Sequence, residues 1–169
     1  PIGHGAVDAA NLGESCHVAI GTNALGAETS CAGYCVAVGM SALALQNYAF
    51  KNTAIGSNAV DAIVGGDKNT LVGYMAGSGV SSGGDNVALG HAAFQTGTGA
   101  ANVIIGSKAG SSQEGAATAM SGSSNVLVGY KAGYDLLDGP GNVLIGRDAG
   151  TNMTTSDYNV AIGFAALDA

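Results

Sequence analysis

The residues best suited to chemistry in this chain are three cysteines, Cys16, Cys31 and Cys35, gathered within twenty residues with His17 beside the first. Thiolates and imidazole are the usual ligands of zinc, but structural zinc sites space their cysteines as Cys-x-x-Cys pairs, and no such pair occurs here. Three readings stay open: buried thiols, a Cys16–Cys35 disulfide, and a metal site. His91 is the one mid-chain histidine and so the one candidate for a general base near neutral pH. The loop carboxylates Asp61, Asp67 and Asp85 share no consistent partner, and no loop carries the Gly-Gly-x-Gly-x-Asp form that binds calcium in repeat proteins. No catalytic set, cofactor site or metal site is expected from these residues.

Composition narrows the class further. The chain has 169 residues, a net charge of -7, 29 glycines, two prolines and no tryptophan. Charged residues make up 10%, against about 25% in an ordinary domain. Glycine without a three-residue period and with almost no proline is not collagen. The content of Val, Ile and Leu argues against disorder. Five Lys and Arg, placed singly, form no basic stripe, so nucleic acid is not an expected partner. The longest apolar stretch, Val36 to Leu45, is broken by Gly39 and Ser41 and falls short of the about 18 residues of a membrane-spanning helix, so no membrane insertion is expected. The sequence opens at Pro1 on half a motif, as a processed chain or a segment of a longer fibre would.

What organises the chain is a repeat. The pattern Asn-Val-x-Ile-Gly-x-x-Ala returns as HVAIGTNA from His17, CVAVGMSA from Cys35, NTAIGSNA from Asn52, NTLVGYMA from Asn69 and NVALGHAA from Asn86. It continues as NVIIGSKA, NVLVGYKA, NVLIGRDA and NVAIGFAA from Asn102, Asn125, Asn142 and Asn159, and the opening IGHGA is the second half of one more copy. The repeat glycines are Gly3, Gly21, Gly39, Gly56, Gly73, Gly90, Gly106, Gly129, Gly146 and Gly163, spaced by 18, 18, 17, 17, 17, 16, 23, 17 and 17 residues. A fixed period of this length is the signature of a solenoid, in which each repeat contributes one coil. The expected fold is therefore all-β: a parallel β-solenoid of about ten coils with a period near 17 residues, forming one repeat domain over 1–169.

Each column of the repeat has a physical reading. The residues three and one before the glycine, such as Val103 and Ile105, share one face of a strand and are expected to fill the interior. The residue between them (Ala19, Ala37, Ala54, Leu71, Ala88, Ile104, Leu127, Leu144, Ala161) is expected to face outward. No member of that column is polar, so the outer face requires a covering partner, and Leu127→Asp or Leu144→Asp is expected to weaken assembly. Gly21, Gly56 and Gly106 mark a backbone turn that excludes a Cβ. Asn102, Asn125 and Asn142 stand in a column of asparagines whose side chains are expected to hydrogen-bond along the stack. The alanine three residues after the glycine marks a tightly packed turn.

The pattern, above all HVAIGTNALGAETSCAGYCVAVGMSAL from His17 to Leu43, resembles the head repeats of YadA-like trimeric adhesins, and the NTAIG and NVAIG arrays look like those of trimeric phage tail fibres. The resemblance implies a β-roll, a homotrimer, exposure on a cell surface or virion, and attachment to a host, and it carries over no catalytic residue. The period near 17 and the alanine after the glycine fit the phage-fibre form better than the adhesin head. The unit [Ile/Val]-Gly-x-x-Ala is also close to that of hexapeptide acyltransferases. Those enzymes show it about three times per coil, however, and here it appears once.

The expected function is thus a structural and attachment element of an extracellular or virion fibre. A bacterial adhesin head or an extracellular filament subunit is the alternative, and an acyltransferase a remote one. An ice-binding surface would need a flat array of threonines, which the column after the glycine lacks. That column instead holds Tyr74, Tyr130 and Phe164, candidates for stacking on sugars. The insertion Ser111–Ser124 contains Gln113 and Glu114, the candidate loop contacts to a cell-surface glycan or protein.

Overall fold

The structure is a computed structural model and describes residues 1–7, 17–27, 33–112 and 119–168. Each of the nine full copies of the motif places three residues in extended backbone directly before its glycine. In chain order the strands are β1 (Val18–Ile20), β2 (Val36–Val38), β3 (Thr53–Ile55), β4 (Thr70–Val72), β5 (Gly79–Val80), β6 (Val87–Leu89), β7 (Thr96–Gly97), β8 (Val103–Ile105), β9 (Val126–Val128), β10 (Val143–Ile145) and β11 (Val160–Ile162). β5 and β7 pair with each other, and the other strands form one nine-stranded parallel sheet in chain order. Ile2 adds a bridge to Ile20 at the first rung. The chain is thus an all-β parallel solenoid, with no α-helix among the described residues and therefore none there to cross a membrane. At about 4.8 Å per rung the sheet is roughly 38 Å long. The strands of the main sheet are three residues long, and β5 and β7 are two.

The register is strict: Val103 lies over Val126, Ile104 over Leu127 and Ile105 over Val128, although the intervening coil carries the insertion. The repeat glycine makes this stacking possible. Gly106 has φ +138, and a Cβ there would overlap the carbonyl oxygen of Gly129 in the next coil. A second glycine column, Gly66, Gly83, Gly99, Gly122 and Gly139, lies three residues before the asparagines and meets the next coil's backbone equally closely.

The two faces of the sheet are the reverse of the sequence expectation. The middle residue of each strand points inward: Ala37, Ala54, Leu71, Ile104, Leu127 and Leu144 are all 0% exposed. The flanking Val, Ile and Thr residues point outward. Period two separates the two sets without saying which is inside. The deciding constraint is the asparagine, two residues before the middle position and hence on the same side of the strand; Asn52, Asn86, Asn102 and Asn142 are 0% exposed.

The inward column is also matched in size to the residue six positions later. Where the strand offers Ala19, Ala37, Ala54 or Ala88, the turn offers Leu25, Leu43, Val60 or Phe94. Where it offers Leu71, Ile104, Leu127 or Leu144, the turn offers Gly77, Gly110, Gly133 or Gly150. A Cβ on Gly133 would stand 3.0 Å from Leu127 Cδ2, and one on Gly77 2.9 Å from Leu71 Cδ1. Each coil therefore holds one large apolar side chain at this level, supplied from either wall, as native packing density in a narrow interior requires.

The asparagines form a buried ladder. Asn52 Oδ1 accepts from the backbone N–H of Asn69 at 2.9 Å and from its Nδ2 at 3.1 Å, while Asn69 Nδ2 also donates to the Gly83 carbonyl at 2.9 Å. The same bonds recur from Asn69 to Asn86 and from Asn86 to Asn102. Asn125, at the rung beside the insertion, keeps its backbone bond to Asn102 at 2.8 Å. Its side-chain Nδ2 is buried without a partner. At the first rungs other residues replace the asparagine. His17 Nδ1 accepts from the Cys35 N–H at 3.3 Å. Cys35 supplies no amide, and Gln46 Nε2, 3.4 Å from the Cys35 sulfur, bonds the Ala49 carbonyl at 2.7 Å in its place.

Candidate interaction surfaces

Inverting the strand faces moves the candidate partner surface to the flanking columns. They run from Val18 and Ile20 through Val103 and Ile105 to Val160 and Ile162, and all are Val, Ile or Leu except Thr53 and Thr70. Side-chain exposure is 47% at Val18 and Leu89, 36% at Val103 and 71% at Val160. β-Branched side chains at one rung spacing make a straight apolar strip with no charge in it. A strip of this length is larger than the scattered apolar residues of an ordinary monomer surface. Leu127 and Leu144 belong to the core instead, so an aspartate at either would unfold its coil rather than test assembly.

Along one edge of this strip runs the column after the repeat glycine. It brings Tyr74, Tyr130 and Phe164 onto one line, but their rings are already engaged. Tyr74 stacks on His91 with ring centres 5.7 Å apart and planes 8° apart. The Arg147 guanidinium lies 5.6 Å from the Tyr130 ring centre and 5.7 Å from that of Phe164. Lys131 stands over Tyr134 at 4.6 Å and near Tyr130 at 5.8 Å. His91 Nδ1 is 3.3 Å from Ser107 Oγ, and this histidine is an exposed member of the column. Ser107 is the small residue between the two stacked groups.

The charges segregate by corner. Lys108, Lys131 and Arg147 follow the glycine, with Asp148 3.0 Å from Arg147 Nε. Lys51 and Lys68 precede the asparagine, where Lys68 approaches Asp85 at 3.9 Å and Asp67 Oδ1 accepts from the Phe50 N–H at 2.9 Å. Burial raises the Asp61 carboxyl above the usual carboxylate range against a smaller opposing backbone hydrogen bond.

Gln113 and Glu114 lie outside the described residues, as do Cys16 and Cys31; Cys35 is buried. The segment that can be removed is narrower than the insertion Ser111–Ser124. Met120 is 2% exposed in the core, and the Gly122 carbonyl accepts from Asn102 at 3.2 Å. Removing only 113–118 restores the 17-residue spacing. No group of His, Cys, Asp or Glu suited to a metal occurs among the described residues. The signals that sequence reasoning missed were the strand's true outer face and the cations interleaved with the aromatic column. No family model matches this sequence, and no curated protein or solved structure is significantly similar to it.

Proposed function

We propose that this chain is a structural and attachment element of a surface or virion fibre, in which three copies pack side by side through the flanking Val and Ile columns. The observation that carries this reading is the uncharged apolar strip on one face of a solenoid whose own core lies on the other side. A globular partner has no reason to match a groove pattern that repeats at every rung. A second copy of the same solenoid does, because its side chains recur at the same spacing and interdigitate over the full length. The resemblance of the repeat to trimeric adhesin heads and tail fibres supplies the number three.

Attachment rests on the division between the packed columns and the varied residues at the turns, since a rigid scaffold presenting irregular edges is where recognition resides. The fibre setting and an extracellular location belong to the same proposal. Binding of the labelled rod to candidate host cells tests it: saturable binding supports attachment, and a trimeric rod that binds no cell type would reduce the segment to a spacer. A chain lacking 113–118 should fold and, if the insertion makes the contact, lose that binding.

A further inference from the structure

The column after the repeat glycine is a ladder of flat groups with one gap. Tyr74 and His91 stack as a pair on one side of Ser107, and Tyr130, Arg147 and Phe164 stack on the other. Tyr74 covers one face of the His91 ring, and Arg147 covers one face of Tyr130. The Ser107 rung lies between the two groups, with a hydroxyl 3.3 Å from His91 Nδ1 in place of a ring and Lys131 Nζ over the Tyr130 ring at 5.8 Å from its centre. Register holds across this gap, with the Lys108 N–H bonded to the His91 carbonyl at 2.9 Å and the Lys131 N–H to the Ser107 carbonyl at 3.1 Å. His91 and Tyr130 are therefore two rungs apart, about 9.6 Å.

That spacing selects an occupant. Stacked rings approach to centre distances of about 4.5 Å at the closest, so two such contacts span roughly 9 Å and leave room for one six-membered ring between His91 and Tyr130. A saccharide ring suits the slot better than an aromatic one. It presents C–H groups to both rings and hydroxyls to the half-buried Ser107 oxygen and to water, between the exposed His91 and Tyr130. Lys131 beside Tyr130 places positive charge at this corner of a chain whose net charge is -7, while Arg147 behind it is paired with Asp148. We infer that the Ser107 gap is a saccharide subsite for an acidic sugar unit, clamped between His91 and Tyr130 with its carboxylate toward Lys131. This rests on the attachment reading and names its ligand class.

The test uses the intact rod, a panel of oligosaccharides bearing uronic or sialic acid units with their neutral counterparts, and the same host cells. The expected result is binding to acidic members in preference to neutral ones. Ser107→Tyr should weaken that binding more than tenfold, because it fills the gap with a residue the column already accepts at Tyr74 and Tyr130, with the melting temperature unchanged. Lys131→Gln should weaken the acidic ligands several-fold and leave the neutral ones unaffected. Retained acidic-sugar binding by Ser107→Tyr overturns the subsite. Cell binding that survives in Ser107→Tyr, with no panel member bound by the parent, also overturns it and leaves attachment standing. A rod that binds neither cells nor sugars removes both.

Discussion

Exchanging the large side chain between the two walls of one coil tests the size match in the core. Leu127 is 0% exposed and sits over Gly133, whose added Cβ would stand 3.0 Å from Leu127 Cδ2 and 3.4 Å from Leu144 Cδ1. Leu127→Ala alone should leave a cavity and cost about 2–5 kcal/mol. Gly133→Leu alone overpacks the same space, at about 1–3 kcal/mol. It also places a side chain at φ +60, at about 1–2 kcal/mol. Together the two changes recreate the arrangement of Ala88 and Phe94, a coil of this type flanked on both sides by coils of the other type. Only the backbone term then remains, so the double variant should lie about 1–2 kcal/mol below the parent, and the singles should couple favourably by the cavity and overpacking terms together, roughly 3–8 kcal/mol. Urea unfolding of the four proteins, followed by circular dichroism, measures the cycle. Coupling within about 0.5 kcal/mol of zero would mean the two positions do not share one space, and the packing argument would fail.

Other expectations follow from the same architecture. Gly106→Val should lower the melting temperature steeply, since its Cβ has no room beside the Gly129 carbonyl; an unchanged melting temperature would rule out the close approach. Asn102→Ala removes bonds to Asn86 and Gly122 inside the stack and should cost about 1–3 kcal/mol, whereas Asn159→Ala, at the half-buried last rung, should cost less; equal losses would argue against a cooperative ladder. Asp61→Asn should raise stability at neutral pH. A raised folded pKa makes the ionised carboxylate the unfavourable form, so the contribution of Asp61 is present at acidic pH and lost as pH rises through its folded pKa. The gain from Asn should vanish in acid, and a gain that persists there would contradict the assignment.

Much of the fold was legible because the solenoid writes its geometry into columns. A glycine that accepts no Cβ and a following alanine recur at one period, and a parallel in-register stack is what makes such positions equivalent. The strand's inner face was equally present in the sequence but harder to read. Val103 and Ile105 outweigh most middle residues in bulk, yet only Leu127 and its column vary in reciprocal step with the residue six positions on. Variation of that kind implies contact. Asn125, two residues before Leu127, pointed the same way. The second glycine column was hidden among other loop glycines, where Gly83 and Gly84 look alike until the backbone is traced. Tyr74, Tyr130 and Phe164 were recognisable as one surface column. Their engagement with His91 and Arg147 depends on side-chain direction, which the spacing alone does not fix. The replacement of the ladder amide by Gln46 beside Cys35 joins residues in different columns and leaves no periodic trace.

The measurement that bears most directly on the account is sedimentation equilibrium of the purified rod, alone and with the outer face charged by Ile105→Lys and Val128→Lys. Both positions point away from the core, so the variant should keep the parent's β-sheet spectrum. The account predicts a parent mass three times the 16.3 kDa of one chain and a folded monomer for the variant. A parent that sediments as a stable single chain, or a variant that remains trimeric, would contradict it.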